Sequence, residues 1–189
     1  MTMTDPLPLQ AITFDLDDTL WDNHGVMVAT ETGHYAWLDR ELTGWLQAHG
    51  RSTSPRFSEC FPLESFELRR RALAHAHPLH RGHFTWLRER ALTEMLGEYG
   101  LEPATAEQWA RAAMARFMEL RHRVEPHPEV EPLLTGLGRH YRLASITNGN
   151  VDIQRLALGR HFPVAIAAGE IFAPKPDPRP FLAALARLG

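Results

Sequence analysis

Ala11-Ile12-Thr13-Phe14-Asp15-Leu16-Asp17-Asp18-Thr19-Leu20 is the stretch on which the reading of this 189-residue chain turns. An apolar, β-branched run leads into a cluster of aspartates and a threonine, the pattern of a short buried strand that ends in a polar turn. Two later segments repeat it. Tyr141-Arg142-Leu143-Ala144-Ser145-Ile146-Thr147 runs into Asn148-Gly149-Asn150, and Val164-Ala165-Ile166-Ala167-Ala168 runs into Gly169. Helical spacing lies around them: Val130, Leu133, Leu134 and Leu137 share one face, as do Phe181, Ala184, Leu185 and Leu188. Strands alternating with helices at this tempo predict an α/β fold with a parallel sheet and crossover helices.

Between the first and second strands the pattern is entirely helical. Tyr35, Leu38, Leu42, Trp45 and Leu46 form one face closed by Gly50; Leu92, Met95, Leu96 and Tyr99 form another closed by Gly100. Thr105-Ala106-Glu107-Gln108 has the form of a capping box ahead of Trp109, Ala113, Phe117 and Leu120. A simple crossover needs roughly a dozen residues, and this stretch is many times longer. It is therefore expected to be an inserted helical domain over residues 22–125, between core segments 1–21 and 126–189. Pro126-His127-Pro128 reads as the stiff strap where the chain returns.

Composition narrows the class without naming the chemistry. A formal net charge of -3 argues against nucleic acid or an anionic membrane as partner. Cys60 is the single cysteine, so no intrachain disulfide forms and a reducing compartment fits. Residues 1–9 carry no leader pattern, and no apolar run is long enough to span a bilayer, so a cytoplasmic location is expected. Whether the chain is a monomer or a homodimer stays open.

The chemistry-bearing residues fall at the ends of the predicted strands. In open parallel sheets the carboxyl edge is where ligands bind, and Asp15 and Asp17 sit there after the first strand. Two nearby carboxylates resist ionising together, so one can stay anionic and attack while the other holds a proton. Thr147, Asn148 and Gly149 close the second strand with a hydroxyl and backbone N–H groups able to hold an anion. Lys175, between Pro174 and Pro176, follows the third strand on a restricted backbone. Each has a plainer alternative: a polar turn capped by Asp18 or Thr19, a helix start at Asn150 or Asp152, a surface lysine. The conjunction of aspartate pair, threonine and lysine is what points to phosphoryl transfer.

On these residues the chain resembles the haloacid-dehalogenase-like superfamily from about Ile12 onward. The first motif is similar to Phe14-Asp15-Leu16-Asp17-Asp18-Thr19-Leu20, the second to Ser145-Ile146-Thr147-Asn148-Gly149-Asn150, the third to Ala173-Pro174-Lys175-Pro176. The resemblance implies a Rossmann-like core with a type-one helical cap. It also implies a phosphatase in which Asp15 attacks phosphorus and Asp17 protonates the leaving oxygen and later activates water. Thr147, Asn148, Gly149 and Lys175 would bind the phosphoryl group, and Mg²⁺ would sit against Asp15 and Asp17. Haloacid dehalogenase, phosphomutase and a non-catalytic phosphate-ester-binding module remain alternatives; Asp17 favours the phosphatase, because a halide leaves without a proton.

Within the superfamily the chain is most similar to phosphatases of FMN and of 5-amino-6-(5-phospho-D-ribitylamino)uracil, so the expected substrate is a small phosphorylated metabolite of that kind. Trp86, Arg88 and Arg90 of the helical insertion are the candidate contacts to the rest of that substrate; the alternative is a solvated helix face. His75, His77, His80 and His83 are not read as a zinc site, because Pro78 and Gly82 break their spacing and no cysteine or acidic ligand joins them. Arg69-Arg70-Arg71 reads as a solvated face, and Trp37, Trp45 and Trp109 as core of the insertion. The family's fourth motif, an acidic loop that supplies magnesium with a carboxylate, has no counterpart before Gly189. The sequence is accordingly expected to be truncated, to bind magnesium poorly and to turn over slowly; a natural loss of catalysis, or a neighbouring chain that completes the site, are the other readings.

Overall fold

The computed structural model describes residues 8–51 and 55–189, so most of the stretch read for a leader lies outside the described residues. In chain order, β1 (Ala11–Phe14) is followed by α1 (Asn23–Ala48), α2 (Phe57–Cys60), α3 (Leu63–Ala76), α4 (Phe84–Glu98), α5 (Pro103–Arg121) and α6 (Val130–Leu137). Then come β2 (Arg142–Thr147), β3 (Val164–Ala167), α7 (Ala168–Ile171) and α8 (Arg179–Leu188). The chain divides into two units, Met1–Asp22 with Glu125–Gly189, and Asn23–Val124.

The first unit is an α/β fold around a parallel sheet ordered β1-β2-β3. Ala11 pairs with Arg142 and Phe14 with Ser145 on one side of β2; Ala144 pairs with Val164 and Thr147 with Ala167 on the other. Every residue of β2 from Leu143 to Thr147 is buried, as expected for a central parallel strand covered on both faces. Trp21 bridges Pro126 in antiparallel fashion, and the His127 N–H donates to Leu20 O at 2.9 Å, so the chain leaves this unit and re-enters it at adjacent points.

Two expectations need correction. After β2 the chain forms two short 3-10 turns, Ile153–Arg155 and Ala157–His161, in place of an α-helix. Asp152 caps the first by accepting from Gln154 N at 3.0 Å, and Gly159 lets the two turns press together. α5 starts at Pro103, where a proline suits the first helical turn, so Thr105 and Gln108 lie inside the helix and do not cap it. In α8 the apolar stripe is only half buried: Ala184 joins Ile146 and Ile166 in the core, while Phe181 and Leu185 are 39% and 56% exposed.

The second unit is helical. Leu38 and Leu42 of α1, Phe66 of α3, Leu92 and Leu96 of α4 and Ala110 of α5 form its core, with Trp37, Trp45 and Trp109 packed at the margin. Gly50 and Gly100, just after α1 and α4, have φ of 76° and 95°, which only glycine adopts without strain.

Candidate active site

Asp15 follows β1 directly, so the strand delivers its carboxylate to the carboxyl edge of the sheet. Its Oδ1 accepts the Leu16 N–H at 2.8 Å and pairs with Lys175 Nζ at 2.8 Å. Leu16, Leu20 and Trp21 are buried and pin the loop from inside; Asp18 takes a left-handed φ of 57° at its tip. That tight loop turns Asp17 so that its Oδ1 accepts the indole N–H of Trp21 at 3.0 Å. Trp21 was missed in the sequence as a site residue; its only local signal is the four-residue spacing from Asp17.

Lys175 reaches the same place from the other side of β2. Its Nζ also donates to Ile146 O at 2.8 Å, and its side chain is 19% exposed against 44% for Asp15. Asn148 fixes the lysine backbone from both ends: the Asn148 amide donates to Lys175 O at 3.0 Å and accepts from Lys175 N at 2.6 Å. Thr147 Oγ1 accepts the Gly149 N–H at 2.9 Å, a local turn that holds the hydroxyl at the end of the central strand. A cavity of about 130 Å³ opens beside Leu16 and Thr147.

An anionic carboxylate, an ammonium, a hydroxyl and a second carboxylate are therefore gathered at one sheet edge. The donor chemistry there suits Mg²⁺. The Asp15 carboxylate and the Asp17 backbone carbonyl offer hard oxygens, and that ion is commonly held by one or two carboxylates plus substrate phosphate and water. Among the described residues no group of three or more His, Cys, Asp and Glu side chains is gathered that could cage a metal, the histidine tract at 75–83 included.

The three insertion residues singled out in the sequence lie in different surroundings. Arg88 points into the core of the helical unit, its side chain 8% exposed, paired with Glu31 at 2.7 Å and lying 4.4 Å over the Phe117 ring. Arg90 stays on the surface and pairs with Glu94 at 2.9 Å. Trp86 stacks on His80 at 4.1 Å, and its backbone N–H is capped by His83 Nδ1. The arginine run also divides: Arg69 pairs with Glu98 at 2.8 Å, whereas Arg70 turns inward to Glu31 at 3.4 Å, so the run is not one solvated face. Burial raises the Glu31 pKa against the pull of Arg70 and lowers that of His34. No described helix is long and apolar enough to cross a membrane.

Known proteins resemble this chain in sequence and fold. A curated relative, 5-amino-6-(5-phospho-D-ribitylamino)uracil phosphatase YigB of Escherichia coli (strain K12), is 30% identical over 89% of this chain. Phosphoserine phosphatase of Thermus thermophilus is 38% identical over 54% of it. The chain spans 65% and 42% of those two proteins. Among solved structures, 2-haloacid dehalogenase from Pseudomonas syringae pv. Tomato DC3000 superposes with a TM-score of 0.80 at 35% identity, covering 95% of this chain and 73% of that one. The model of the haloacid dehalogenase-like hydrolase family matches residues 9–189, and the chain belongs to that family.

Proposed function

We propose that this site hydrolyses the phosphate monoester of a small metabolite, with Asp15 as nucleophile and Mg²⁺ as cofactor. The observation that carries the reading is the Asp15–Lys175 contact at 2.8 Å beside an Asp17 held by Trp21 at 3.0 Å. A carboxylate oxygen of Asp15 attacks phosphorus, the bond to the ester oxygen breaks, and that oxygen leaves with the proton of Asp17. Water then attacks the aspartyl phosphate and gives its proton to Asp17, and phosphate departs, restoring both carboxyls. Lys175 and the Thr147 hydroxyl, which the Gly149 N–H orients, balance the charge of the phosphoryl oxygens. The Asp15 carboxylate and the Asp17 backbone carbonyl would hold the magnesium, which would supply further neutralisation of that charge.

Two names among the relatives support a phosphorylated metabolite as substrate, and 5-amino-6-(5-phospho-D-ribitylamino)uracil, in the name of the Escherichia coli protein, is the first to try, with FMN beside it. A second reading, 2-haloacid dehalogenase, follows the Pseudomonas syringae structure. Asp17 argues against it, since a departing halide needs no proton. The test is phosphate release from p-nitrophenyl phosphate, FMN and the ribitylamino-uracil phosphate, run with and without magnesium, beside halide release from 2-chloropropionate. Phosphate release abolished by Asp15→Asn supports the proposal; halide release alone overturns it.

A further inference from the structure

Glu67, Arg70, Arg71 and Ala74 follow the i, i+3, i+4, i+7 spacing along α3 and so share one face of that helix. Phe84 and Leu87 stand on the first turn of α4, and Arg81 lies in the connection between the two helices. Together they line a cavity of about 360 Å³ within the helical unit. Three arginines thus meet one carboxylate, Glu67, around a single opening.

Neighbouring groups neutralise only part of that charge. Arg70 pairs at 3.4 Å with Glu31, which Arg88 also holds at 2.7 Å. Arg71 and Arg81 are exposed, and among the described residues neither is in an ion pair. Guanidiniums stay charged in proteins. With both glutamates set against the four arginines, two positive charges remain in excess.

Arg70 is positioned before any ligand arrives. Its guanidinium lies 4.8 Å over the Phe66 ring, and the Glu31 pair fixes it on one side. Its Nε is buried and makes no hydrogen bond among the described residues. A buried guanidinium N–H without an acceptor is costly, and a carboxylate or phosphate oxygen would satisfy it. Guanidinium forks match such oxygens in pairs. Phe84, 41% exposed, joins Leu87 and Ala74 as an apolar wall able to take a ring or a short hydrocarbon. Pockets that hold small molecules run from about 300 to 1,000 Å³, and the low end of that range suits a small acid better than a nucleotide.

We propose that this cavity binds a small organic anion bearing at least one carboxylate or phosphate, with Arg70, Arg71 and Arg81 as its charged contacts. The site stands within the helical unit, and it does not rest on the hydrolysis proposed for Asp15.

The experiment is calorimetric titration of the chain with phthalate in about 0.15 M salt, which screens unspecific attraction. The two carboxylates of phthalate address the arginines, its ring the Phe84 wall, and it carries no phosphoryl group for Asp15 to attack. Wild type is compared with Arg71→Ala/Arg81→Ala, with Lys175→Ala, and with Arg111→Ala/Arg116→Ala, which removes the same charge from α5. One-to-one binding is expected, weakened about tenfold or more in Arg71→Ala/Arg81→Ala, as loss of two charge-assisted contacts implies, and unchanged in the other two. Thermal unfolding checks that the variants are folded; if the first double variant is not, Arg81→Ala alone must still weaken binding. The proposal is overturned by no binding at 10 mM phthalate, by equal weakening in Arg111→Ala/Arg116→Ala, or by binding lost only in Lys175→Ala. Steady-state hydrolysis of p-nitrophenyl phosphate then separates two sources of the anion. Phthalate that raises KM marks the far end of the phosphate ester as the ligand, phthalate that leaves KM unchanged marks a free metabolite, and both results keep the site.

Discussion

The indole N–H of Trp21 donates to Asp17 Oδ1 at 3.0 Å from a fully buried ring. A buried donor cannot drift, so it fixes the rotamer of the carboxyl that is proposed to move the proton. It also links the packing of the loop to the chemistry, because the ring is buried along with Leu16 and Leu20 of the same loop.

Trp21→Phe keeps most of the apolar volume and removes the donor. General acid–base catalysis contributes about 10²–10⁴-fold, and Asp17→Asn is expected to lose most of that in kcat. Trp21→Phe is expected to lose about tenfold, as a misaimed but intact acid. Steady-state phosphate release checks both, and an unchanged kcat in Trp21→Phe would remove the positioning role.

Asn148 grips the Lys175 backbone through both its amide groups. Asn148→Ala should therefore loosen Lys175 without touching its charge. The inhibition constant of inorganic phosphate is expected to rise about tenfold, or ~1.4 kcal/mol. Lys175→Ala should raise it further. Equal inhibition of Asn148→Ala and wild type would show that the lysine is held by Asp15 and Ile146 alone.

Glu31 sits between Arg88 at 2.7 Å and Arg70 at 3.4 Å, with its own side chain 10% exposed. Taking one partner from a buried ion pair costs about 3–5 kcal/mol, whereas an exposed pair contributes about 0–1 kcal/mol. Glu31→Gln is expected to fall in the first range. Glu41→Gln, at the exposed pair with Arg40, is expected to fall in the second. Urea unfolding monitored by circular dichroism separates them.

Burial holds the pKa of His34 below its ordinary value of 6.5. The unfolded chain then binds more protons as pH drops below that value. The His34 contribution is thus complete above 6.5 and lost as pH falls through the lower folded pKa. Glu31, whose pKa burial raises, acts in the opposite sense: its contribution is present below 4.5 and lost as pH rises through the folded value. The thermal midpoint is expected to drop more for wild type than for His34→Phe between about pH 7.5 and about pH 5.5. Parallel curves would mean that the fold leaves the His34 pKa where it stands in the unfolded chain.

Two glycines should respond in opposite ways to alanine. A Cβ at Gly159 would lie 2.6 Å from Ile153 O and 2.9 Å from Gln154 Cα, both backbone atoms. A Cβ at Gly33 would meet the Leu120 side chain, Cδ1 at 2.9 Å and Cδ2 at 3.9 Å, which can turn aside. Gly159→Ala is expected to cost about 1–3 kcal/mol, and Gly33→Ala to be neutral or to add up to about 1 kcal/mol of helix propensity. Thermal unfolding reads both.

Much of this was legible in the chain itself, and for a physical reason. A short apolar run bounded by turn residues marks a strand, and all three strands fall within such segments; burial was read too broadly, since no residue of β1 is buried and Thr13 is exposed, while β2 is covered on both faces. Side chains that follow such strands share the carboxyl edge, which is why Asp15, Thr147 and Lys175 could be grouped from their order alone. What stayed hidden depends on side-chain direction. Asn148 turns to a backbone 27 residues away, which no local pattern encodes. Arg88 was grouped with Arg90 as a contact to substrate, yet Ala91, Leu92 and Met95 follow it at i+3, i+4 and i+7, all buried. That spacing puts its guanidinium on the buried face, so the signal was present and charge outweighed it in the reading. The helix expected after Asn150 failed because two short turns, wedged at Gly159, take its place.

The adjacent exit and re-entry points at Trp21 and Pro126 also set an order of assembly. Pairing Ala11 with Arg142 must close a loop that holds the entire segment Asn23–Val124. The entropic penalty of closing a flexible loop grows with its length, while helices packed on sequence neighbours form quickly. Once the helical segment has collapsed, the distance the chain must search shrinks to that between two neighbouring strands. Pulse-labelled hydrogen exchange should accordingly show α5 amides protected before those of β2. Lesions inside the inserted segment, such as Glu31→Gln, would then delay formation of the sheet on which Asp15 stands.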